Sequence, residues 1–385
     1  MTERSTMTLG AVATVAALAL SGAGPVTSWT VVRSPNPSLS GNNLRGVASV
    51  GPGAVWSVGD WRDDTTGRRR TLTQRWDGLA WRIVDSPDTD GNDTLTAVAG
   101  TSPADLWAVG YATATGAEDP DRGVPLMLHG DGASWTVDDL AAPGVAGSLA
   151  AIDMLGENDG WAVGSYRPDR TAVPRGLILR WSGDSWRAVP APDGGSRPVH
   201  LTGVAGSGPG DVWAVGYTGE LGADEQPEVE HWDGQAWRQL KLGSPPQSPS
   251  ALFGVAAAGD GVVWAVGYRR TAGGRQPYAL RWSGNGWQEV SGAAPGDAEL
   301  HSVVALPAGV WAAGYLAGRS ADTALVMSFD GAALTSDPLP PPPASTGNVA
   351  GTALSAIAAT ERTGDLWAVG CLGFNTQVLH RNVGG

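Results

Sequence analysis

The seven residues DLWAVGY at 105–111 return along this chain as DVWAVGY at 211–217, VVWAVGY at 262–268 and DLWAVGC at 365–371. The tryptophan of this motif occurs in seven copies, at Trp56, Trp107, Trp161, Trp213, Trp264, Trp311 and Trp367. Successive copies are 47 to 56 residues apart. Self-similarity at a nearly fixed period indicates a repeat architecture, in which each copy is one supersecondary unit.

Each unit contains four short segments of alternating polarity, separated by Gly, Pro, Asp or Ser. The first reads L-x-x-V-A, as at 95–99, and the second is W-A-V-G. The third ends in Arg-Trp or its equivalent, and an Asp-Gly or Ser-Gly turn leads into the fourth, which opens with a second tryptophan, as at 76–81. Four antiparallel strands in units of this length predict the blades of a β-propeller. The sequence therefore predicts an all-β, seven-bladed β-propeller.

The repeated tryptophan has a packing role in such a ring. In a strand, successive side chains point to opposite faces, so Trp107 and Val109 share one face while Ala108 and Gly110 present almost no side chain on the other. We expect each indole to lie against the small face of a neighbouring blade. Burying an indole of roughly 150–250 Å² at about 25 cal/mol per Å² contributes several kcal/mol before opposing terms.

The two ends of the chain predict how the ring closes. The seventh unit has its first three strands, near 354–359, 366–371 and 377–382, and no fourth before residue 385. The stretch SWTVVRSP at 28–35 matches the fourth strand of other units, such as AWRIVDSP at 80–87. We therefore expect an N-terminal strand to complete the last blade, which also removes exposed sheet edges.

Composition and the N-terminus bear on location and partners. The 25 Lys and Arg against 38 Asp and Glu give a net charge of -13, which opposes nonspecific binding to phosphates and argues against nucleic acid as a partner. Arg4, an apolar stretch at 8–20 and SGAG at 21–24 predict a signal peptide over 1–24, export to the extracellular space, and a propeller domain over 25–385. The alternative for this segment is a buried N-terminal helix. We expect a monomer without a further membrane span.

The motifs LWAVGY at 106–111 and HWDGQAW at 231–237 resemble those of kelch and galactose oxidase-type propellers. They are closer still to bacterial secreted repeat proteins built on the WAVG motif, and the resemblance covers 28–382. It implies the fold and says little about function. A galactose oxidase-type copper centre needs a cysteine-linked tyrosine and histidine ligands, whereas the five histidines here are scattered without metal-ligand spacing. We expect no cofactor and no metal, and Cys371 replaces the Tyr of other units.

The long, variable connections from second to third strand and from blade to blade emerge on one side of the ring, which we predict to be the binding face. Aromatic residues leave the second strand there in six units, with Trp61 and Tyr166 one place later than the others: Trp61, Tyr111, Tyr166, Tyr217, Tyr268 and Tyr315. They could form a ring for stacking, or pack between blades. Arginines in the same connections could hold carboxylate or sulfate groups, or simply be solvated: Arg68, Arg167 and Arg269.

Catalytic motifs are missing from the sequence. There is no G-x-S-x-G, phosphate-binding GK[ST] or H-E-x-x-H motif, and acidic pairs such as Glu228 with Glu230 are interpreted as loop and strand-edge charges. The sequence thus predicts a secreted, noncatalytic module that binds extracellular glycan or protein through the loops on one face. The alternatives are a glycan hydrolase or lyase with its site in the central funnel, and a scaffold in an envelope assembly.

Overall fold

The computed structural model describes residues 29–382 except 52, 118, 139, 141–145, 170, 244–245, 342–350 and 361–362. The predicted signal peptide at 1–24 lies outside the described residues. The described residues form 28 strands and one short 3-10 helix, η1 (Pro120–Arg122). The strands are arranged in seven antiparallel sheets of four.

Six of the sheets are built from consecutive strands, and we number these blades 1 to 6 along the chain. Blade 1 contains β2 (Asn42–Ser49), β3 (Val55–Arg62), β4 (Arg69–Trp76) and β5 (Trp81–Ile83). Blade 2 contains β6 (Asn92–Ser102), β7 (Asp105–Thr113), β8 (Val124–Gly130) and β9 (Trp135–Val137). Blade 3 contains β10 (Ala146–Gly156), β11 (Asp159–Arg167), β12 (Arg175–Trp181) and β13 (Trp186–Ala188).

The second half of the ring repeats this order. Blade 4 contains β14 (Val199–Gly208), β15 (Asp211–Thr218), β16 (Gln226–Trp232) and β17 (Trp237–Gln239). Blade 5 contains β18 (Ser250–Ala257), β19 (Val263–Thr271), β20 (Gly274–Trp282) and β21 (Trp287–Val290). Blade 6 contains β22 (Asp297–Leu306), β23 (Gly309–Ala317), β24 (Thr323–Phe329) and β25 (Leu334–Ser336). Blade 7 contains β26 (Thr352–Ala359), β27 (Leu366–Leu372), β28 (Asn375–Arg381) and the N-terminal β1 (Thr30–Val31).

The first strands of successive blades contact one another around a central axis, and β26 of blade 7 contacts β2 of blade 1. The chain is a seven-bladed β-propeller. In blade 7, β1 pairs antiparallel with β28, so that Thr30 lies opposite His380 and Val31 opposite Leu379. The predicted closure of the ring by an N-terminal strand is therefore confirmed.

Blade interfaces hold the core. Trp161 and Val163 of blade 3 pack in one cluster with Ala214 of blade 4, and equivalent clusters join the other neighbours. Trp161 is fully buried and meets Trp237 of the next blade edge to face, with ring centroids 5.2 Å apart. The predicted packing of each indole on the small face of the following blade is confirmed. Where blade 6 lacks the tryptophan pair, Phe329 takes the place of the first indole.

The glycine of the WAVG motif is required by a β-bulge in the neighbouring first strand. In blade 4 the register between β14 and β15 shifts between Leu201 and Gly203, so Thr202 is the extra residue. A Cβ on Gly216 would lie 1.9 Å from the carbonyl oxygen of His200, a distance that no side chain tolerates. The same shift occurs in all seven first strands. Each blade therefore carries one bulged residue next to the axis.

Candidate functional site

A channel runs along the axis of the ring, and all seven first strands line it. Its volume is about 190 Å³, below the roughly 300–1,000 Å³ of ordinary ligand pockets. The bulged residues lie in its wall: Arg45, Thr96, Ala150, Thr202, Phe253, His301 and Ser355. Because the channel is narrow, a ligand of ordinary size has to bind at its mouth.

Sequence reasoning missed these bulged residues, although the repeat contains a signal for them. In each unit they are the residue directly after the buried leucine of L-x-x-V, as in LFGV at 252–255 and LHSV at 300–303. The side chain at this position ranges from Ala to Arg and Phe, while its neighbours stay small and apolar. A position that varies inside a constant strand motif marks a side chain that does not pack between blades.

Aromatic side chains form a continuous arc at the channel mouth of blades 4 to 6. We call this set the aromatic arc: His200, Tyr217, Phe253, Tyr268, His301 and Tyr315. Neighbouring ring centroids are 4.9 to 6.4 Å apart, within the range of favourable aromatic contacts. Phe253 contacts three of the other five rings. The arc thus joins three of the predicted tyrosines to two bulged residues of the channel wall.

The tyrosines of the arc are partly or fully buried and remain protonated. Burial raises the pKa of Tyr217 and of Tyr315 to about 12. Tyr268 is 2% exposed, and its hydroxyl donates a hydrogen bond to the fully buried carboxylate of Glu225. Burial, followed by this contact, raises the pKa of Tyr268 as well. At neutral pH these hydroxyls are therefore hydrogen-bond donors and acceptors, with no tyrosinate available as a base.

One end of the aromatic arc carries a cluster around Asp121, which η1 of blade 2 places over blade 3. One oxygen of Asp121 accepts a hydrogen bond from Ser165 Oγ at 2.7 Å and lies 3.8 Å from His200 Nδ1. The other lies 3.7 Å from the Arg167 guanidinium. Burial lowers the pKa of His200, and Asp121 opposes this effect. The ring of His200 stacks on Tyr217, so the cluster fixes the orientation of this end of the arc.

The other end of the arc carries a second paired cluster, centred on Arg275. Its guanidinium bonds Asp297 at 2.9 Å and also contacts the buried carboxylate of Glu299. Glu299 in turn lies 3.2 Å from His301 Nε2. Across the mouth, the channel residue Arg45 pairs at 2.6 Å with Asp60, which occupies in blade 1 the place of the second-strand tyrosines. Each of these arginines thus has at least one carboxylate partner at the mouth.

The structure divides the predicted site residues into two groups. Tyr111, Tyr217, Tyr268 and Tyr315 occupy the same register position and reach the mouth, where Tyr111 lies within electrostatic range of Arg45. Trp61 and Tyr166 follow one residue later, and alternation along a strand turns them to the opposite face. They line separate outer grooves of about 500 and 530 Å³ on blades 1 and 3. One ring of six aromatic residues is therefore not formed.

The three predicted arginines are also separated. Arg167 lies at the mouth, whereas Arg269 pairs with Glu289 at 2.7 Å on the outer part of blade 5. Arg68 donates hydrogen bonds to the carbonyl oxygens of Thr89 and Gly91, which fixes the connection between blades 1 and 2. Of the three, only Arg167 is placed with the aromatic arc.

The interpretation of Glu228 and Glu230 as loop and strand-edge charges is wrong. Both lie on β16 opposite Gly216 and Ala214, on the face that packs against blade 3, and they are 4% and 1% exposed. Glu228 accepts a hydrogen bond from Gln239 Nε2 at 2.9 Å, while Glu230 Oε2 is buried without a partner among the described residues. Burial raises the pKa of Glu228 to about 7. Burial and repulsion from Glu228 raise that of Glu230 to about 8.

The sequence contained the signal for this pair. At the position of Glu230 the other third strands carry Gln74, Leu128, Leu179, Leu280, Met327 and Leu379. At the position of Glu228 they carry Leu72, Leu126, Leu177, Tyr278, Leu325 and Gln377. Alignment of the repeats by register would have shown two carboxylates in leucine positions.

Two kinds of site are absent from the described ranges. No group of three or more His, Cys, Asp or Glu is arranged there to hold a metal ion. None of the helices in that part of the chain has the length and apolar character needed to cross a bilayer.

No family model and no curated protein matches this chain. Solved structures do resemble it. The structure of YCF48 bound to D1 peptide aligns over 93% of this chain and 97% of that chain, with a TM-score of 0.57 and 18% identity. An ulvan lyase, a polysaccharide lyase bound to -[GlcA(1-4)Rha3S]-, aligns over 90% and 94%, with a TM-score of 0.56 and 10% identity.

A third similar structure is PorZ, a bacterial surface component of the type-IX secretion system of Porphyromonas gingivalis. It aligns over 92% of this chain and 48% of that chain, with a TM-score of 0.57 and 12% identity. At these identities the likeness shows the propeller fold alone, and the three proteins differ in what they bind or assemble with.

Proposed function

We propose that this protein is an exported, monomeric, noncatalytic module that binds an extracellular glycan or protein at the mouth of its propeller channel. The observation that carries the proposal is the aromatic arc, which extends over three blades and continues into the channel wall through Phe253 and His301. A concave surface with aromatic walls and a few oriented polar groups is the usual form of a ligand site. Similar propellers bound to a peptide and to a polysaccharide support both ligand classes.

The chemistry of the mouth favours binding over catalysis. The tyrosines hold their protons, and the carboxylates of Asp121 and Glu299 are engaged by arginine. The tyrosines and these two carboxylates therefore do not offer the free group, with a pKa close to the working pH, that a general base needs. The alternative is a glycan hydrolase or lyase with its site at this mouth. Turnover of a labelled polysaccharide would establish that enzyme in place of the binding module.

Export and the narrower family are part of the same proposal. The apolar segment at 8–20 supports a signal peptide, and the WAVG and HWDG motifs support a place among kelch-like, secreted repeat propellers. Expression of the full chain in a secreting host, with mass spectrometry of the N-terminus, tests export. The expected result is a mature chain beginning near residue 25 in the medium, and retention of the intact N-terminus inside the cells would contradict it.

Binding is tested by screening the chain from residue 25 on arrays of glycans and of peptides. Tyr217→Ala removes an aromatic ring from the arc, and Leu79→Ala alters an exposed side chain in a β4–β5 hairpin on the other side of the ring. We expect a reproducible ligand whose binding Tyr217→Ala weakens and Leu79→Ala leaves unchanged. If no glycan or peptide is bound and the protein is recovered only in an assembly with other envelope proteins, the scaffold alternative replaces the proposal.

A further inference from the structure

We infer that the ligand of the aromatic arc is an uncharged oligosaccharide, which stacks on Phe253 and is hydrogen-bonded at both ends of the arc by the Asp121 and Arg275 clusters. The inference rests on the proposed function and narrows its ligand class. It uses Phe253 and His301, two bulged residues of the channel wall.

The charged groups at the mouth are paired with one another within the protein. Arg45 pairs with Asp60, Arg167 with Asp121, and Arg275 with Asp297 and Glu299. Arg270 adds a further pair, 3.6 Å from Glu225. A carboxylate or sulfate on a ligand would have to compete with these internal partners. A site for an anionic polymer would instead present an excess of arginine.

Arginine and carboxylate groups that are paired with each other can still form hydrogen bonds with an uncharged ligand. A guanidinium has five N–H donors and a carboxylate has about four lone-pair sites, so a pair linked by one or two contacts keeps donors and acceptors for other groups. A sugar hydroxyl is both donor and acceptor and can bridge the two. The clusters around Asp121 and Arg275 therefore suit hydroxyl groups, which need no net charge.

The shape of the aromatic arc suits the flat face of a sugar ring. Phe253 is half-buried in the channel wall and has Tyr217, Tyr268 and His301 around it, with ring centroids 5.1 to 6.4 Å away. The negative face of an aromatic ring attracts the weakly positive C–H groups on the flat side of a pyranose ring. Phe253 thus provides a stacking platform between two hydrogen-bonding clusters, an arrangement that fits a chain of sugars more than a single one.

A peptide fits this mouth less well. Extended peptides gain most of their affinity by adding a strand to a free sheet edge. At the mouth the blades present strand ends and side chains, and the described first strands are paired on one side with second strands and face the channel on the other. The free edges of these first strands lie inside the channel, so they offer no place for main-chain pairing with a ligand at the mouth.

The test is calorimetric titration of the protein from residue 25 onwards with three sets of probes. These are neutral hexasaccharides (cellohexaose, xylohexaose, maltohexaose and chitohexaose), oligogalacturonate as the charged counterpart, and the best peptide from the peptide array. Three variants accompany the wild type: Phe253→Ala, Phe253→Leu, which keeps apolar volume without an aromatic face, and Leu79→Ala as the control.

We expect at least one neutral hexasaccharide to bind. Phe253→Ala and Phe253→Leu should both weaken it about tenfold, as expected for the loss of one stacking contact in a buried site. Leu79→Ala should leave the affinity unchanged. Because the ligand is uncharged, the affinity should change less than about twofold between about 50 and about 500 mM NaCl, conditions that screen ion pairs.

Three outcomes would overturn the inference. Tighter binding of oligogalacturonate, with strong salt dependence, would show an anionic ligand class. Binding of the peptide alone, reduced by Phe253→Ala, would support the proposed binding module and exclude a saccharide as its ligand. If a neutral saccharide binds and Phe253→Leu does not change its affinity, the saccharide binds outside the aromatic arc. Failure of all probes, by contrast, would count against the proposed function itself.

Discussion

Replacement of Glu230 by leucine should stabilise this protein, and the gain should grow with pH. Glu230 occupies a position where four of the other six third strands bury a leucine, and its Oε2 is buried without a partner among the described residues. Its folded-state pKa of about 8 lies above the ordinary value of 4.5, because burial and Glu228 disfavour the charge. The folded protein therefore holds a proton that the unfolded chain releases. Stability contributed by this group falls as pH rises from about 4.5 to about 8 and is constant above.

The size of the effect follows from the same pKa difference. At 1.36 kcal/mol per pH unit, the full difference corresponds to about 5 kcal/mol above pH 8, and relaxation of the blade interface reduces it, so we expect about 2 to 4 kcal/mol. Near pH 3, where Glu230 is neutral in both states, Glu230→Leu should gain only about 1 kcal/mol from removing an unpartnered buried polar group. Glu230→Gln should show a similar pH dependence with a smaller apolar gain.

The assay is urea unfolding at pH 5, 7 and 9, followed by tryptophan fluorescence. Glu157→Gln, which changes an exposed glutamate on the β10–β11 turn, is the matched control and should follow the wild type at every pH. The reasoning is refuted if the free-energy difference between wild type and Glu230→Leu is the same at pH 5 and pH 9. It is also refuted if Glu230→Leu destabilises the protein at pH 9, since the side chain would then have a partner that the structure does not show.

Three further changes probe the blades and the mouth. Gly216→Ala should prevent normal folding of blade 4 or cost more than about 4 kcal/mol, because the new methyl group meets a backbone carbonyl, whereas Gly259→Ala in an open turn should be nearly neutral; circular dichroism and urea unfolding distinguish them. Trp161→Ala should cost about 3 to 5 kcal/mol in urea unfolding, and a loss below 1 kcal/mol would contradict its central place in the core. Tyr268→Phe removes the hydroxyl donor to buried Glu225 and should cost about 1 to 3 kcal/mol in the same assay, and little change would mean that Arg270, 3.6 Å from that carboxylate, replaces the hydroxyl as its donor.

The fold could be predicted from the sequence because the same strand pattern occurs there in seven copies. The spacing of the tryptophans predicted the number of blades, and the small residues of WAVG predicted the face on which each indole packs, as Trp161 and Ala214 show. The match of 28–35 to other fourth strands gave the closure, now seen as β1 on β28. Such features depend on local patterns that each repeat reproduces, so errors in one copy do not matter.

The site was harder to predict because it depends on the differences between copies. Alternation along the strand could have separated Trp61 and Tyr166 from the mouth tyrosines, since a one-residue offset reverses the face. The bulge that exposes Phe253 breaks this alternation, and a pattern of period two does not reveal it. The contact between Asp121 of blade 2 and Ser165 of blade 3 depends on the path of the long connection between β7 and β8. The repeat pattern does not determine that path.

The joint that closes the ring has a mechanical consequence. Thr30 at the start of β1 lies opposite His380 near the end of β28, so both chain ends leave blade 7 side by side. Tension applied between these ends would load the ladder bonds one after another, as a zipper opens, instead of all together in shear. With β1 only two residues long, and with the indole of Trp29 packed beside Trp311 as its anchor, a modest pull would detach this strand before any other blade yields. Attachment of the two ends to separate bodies would then make ring opening responsive to force.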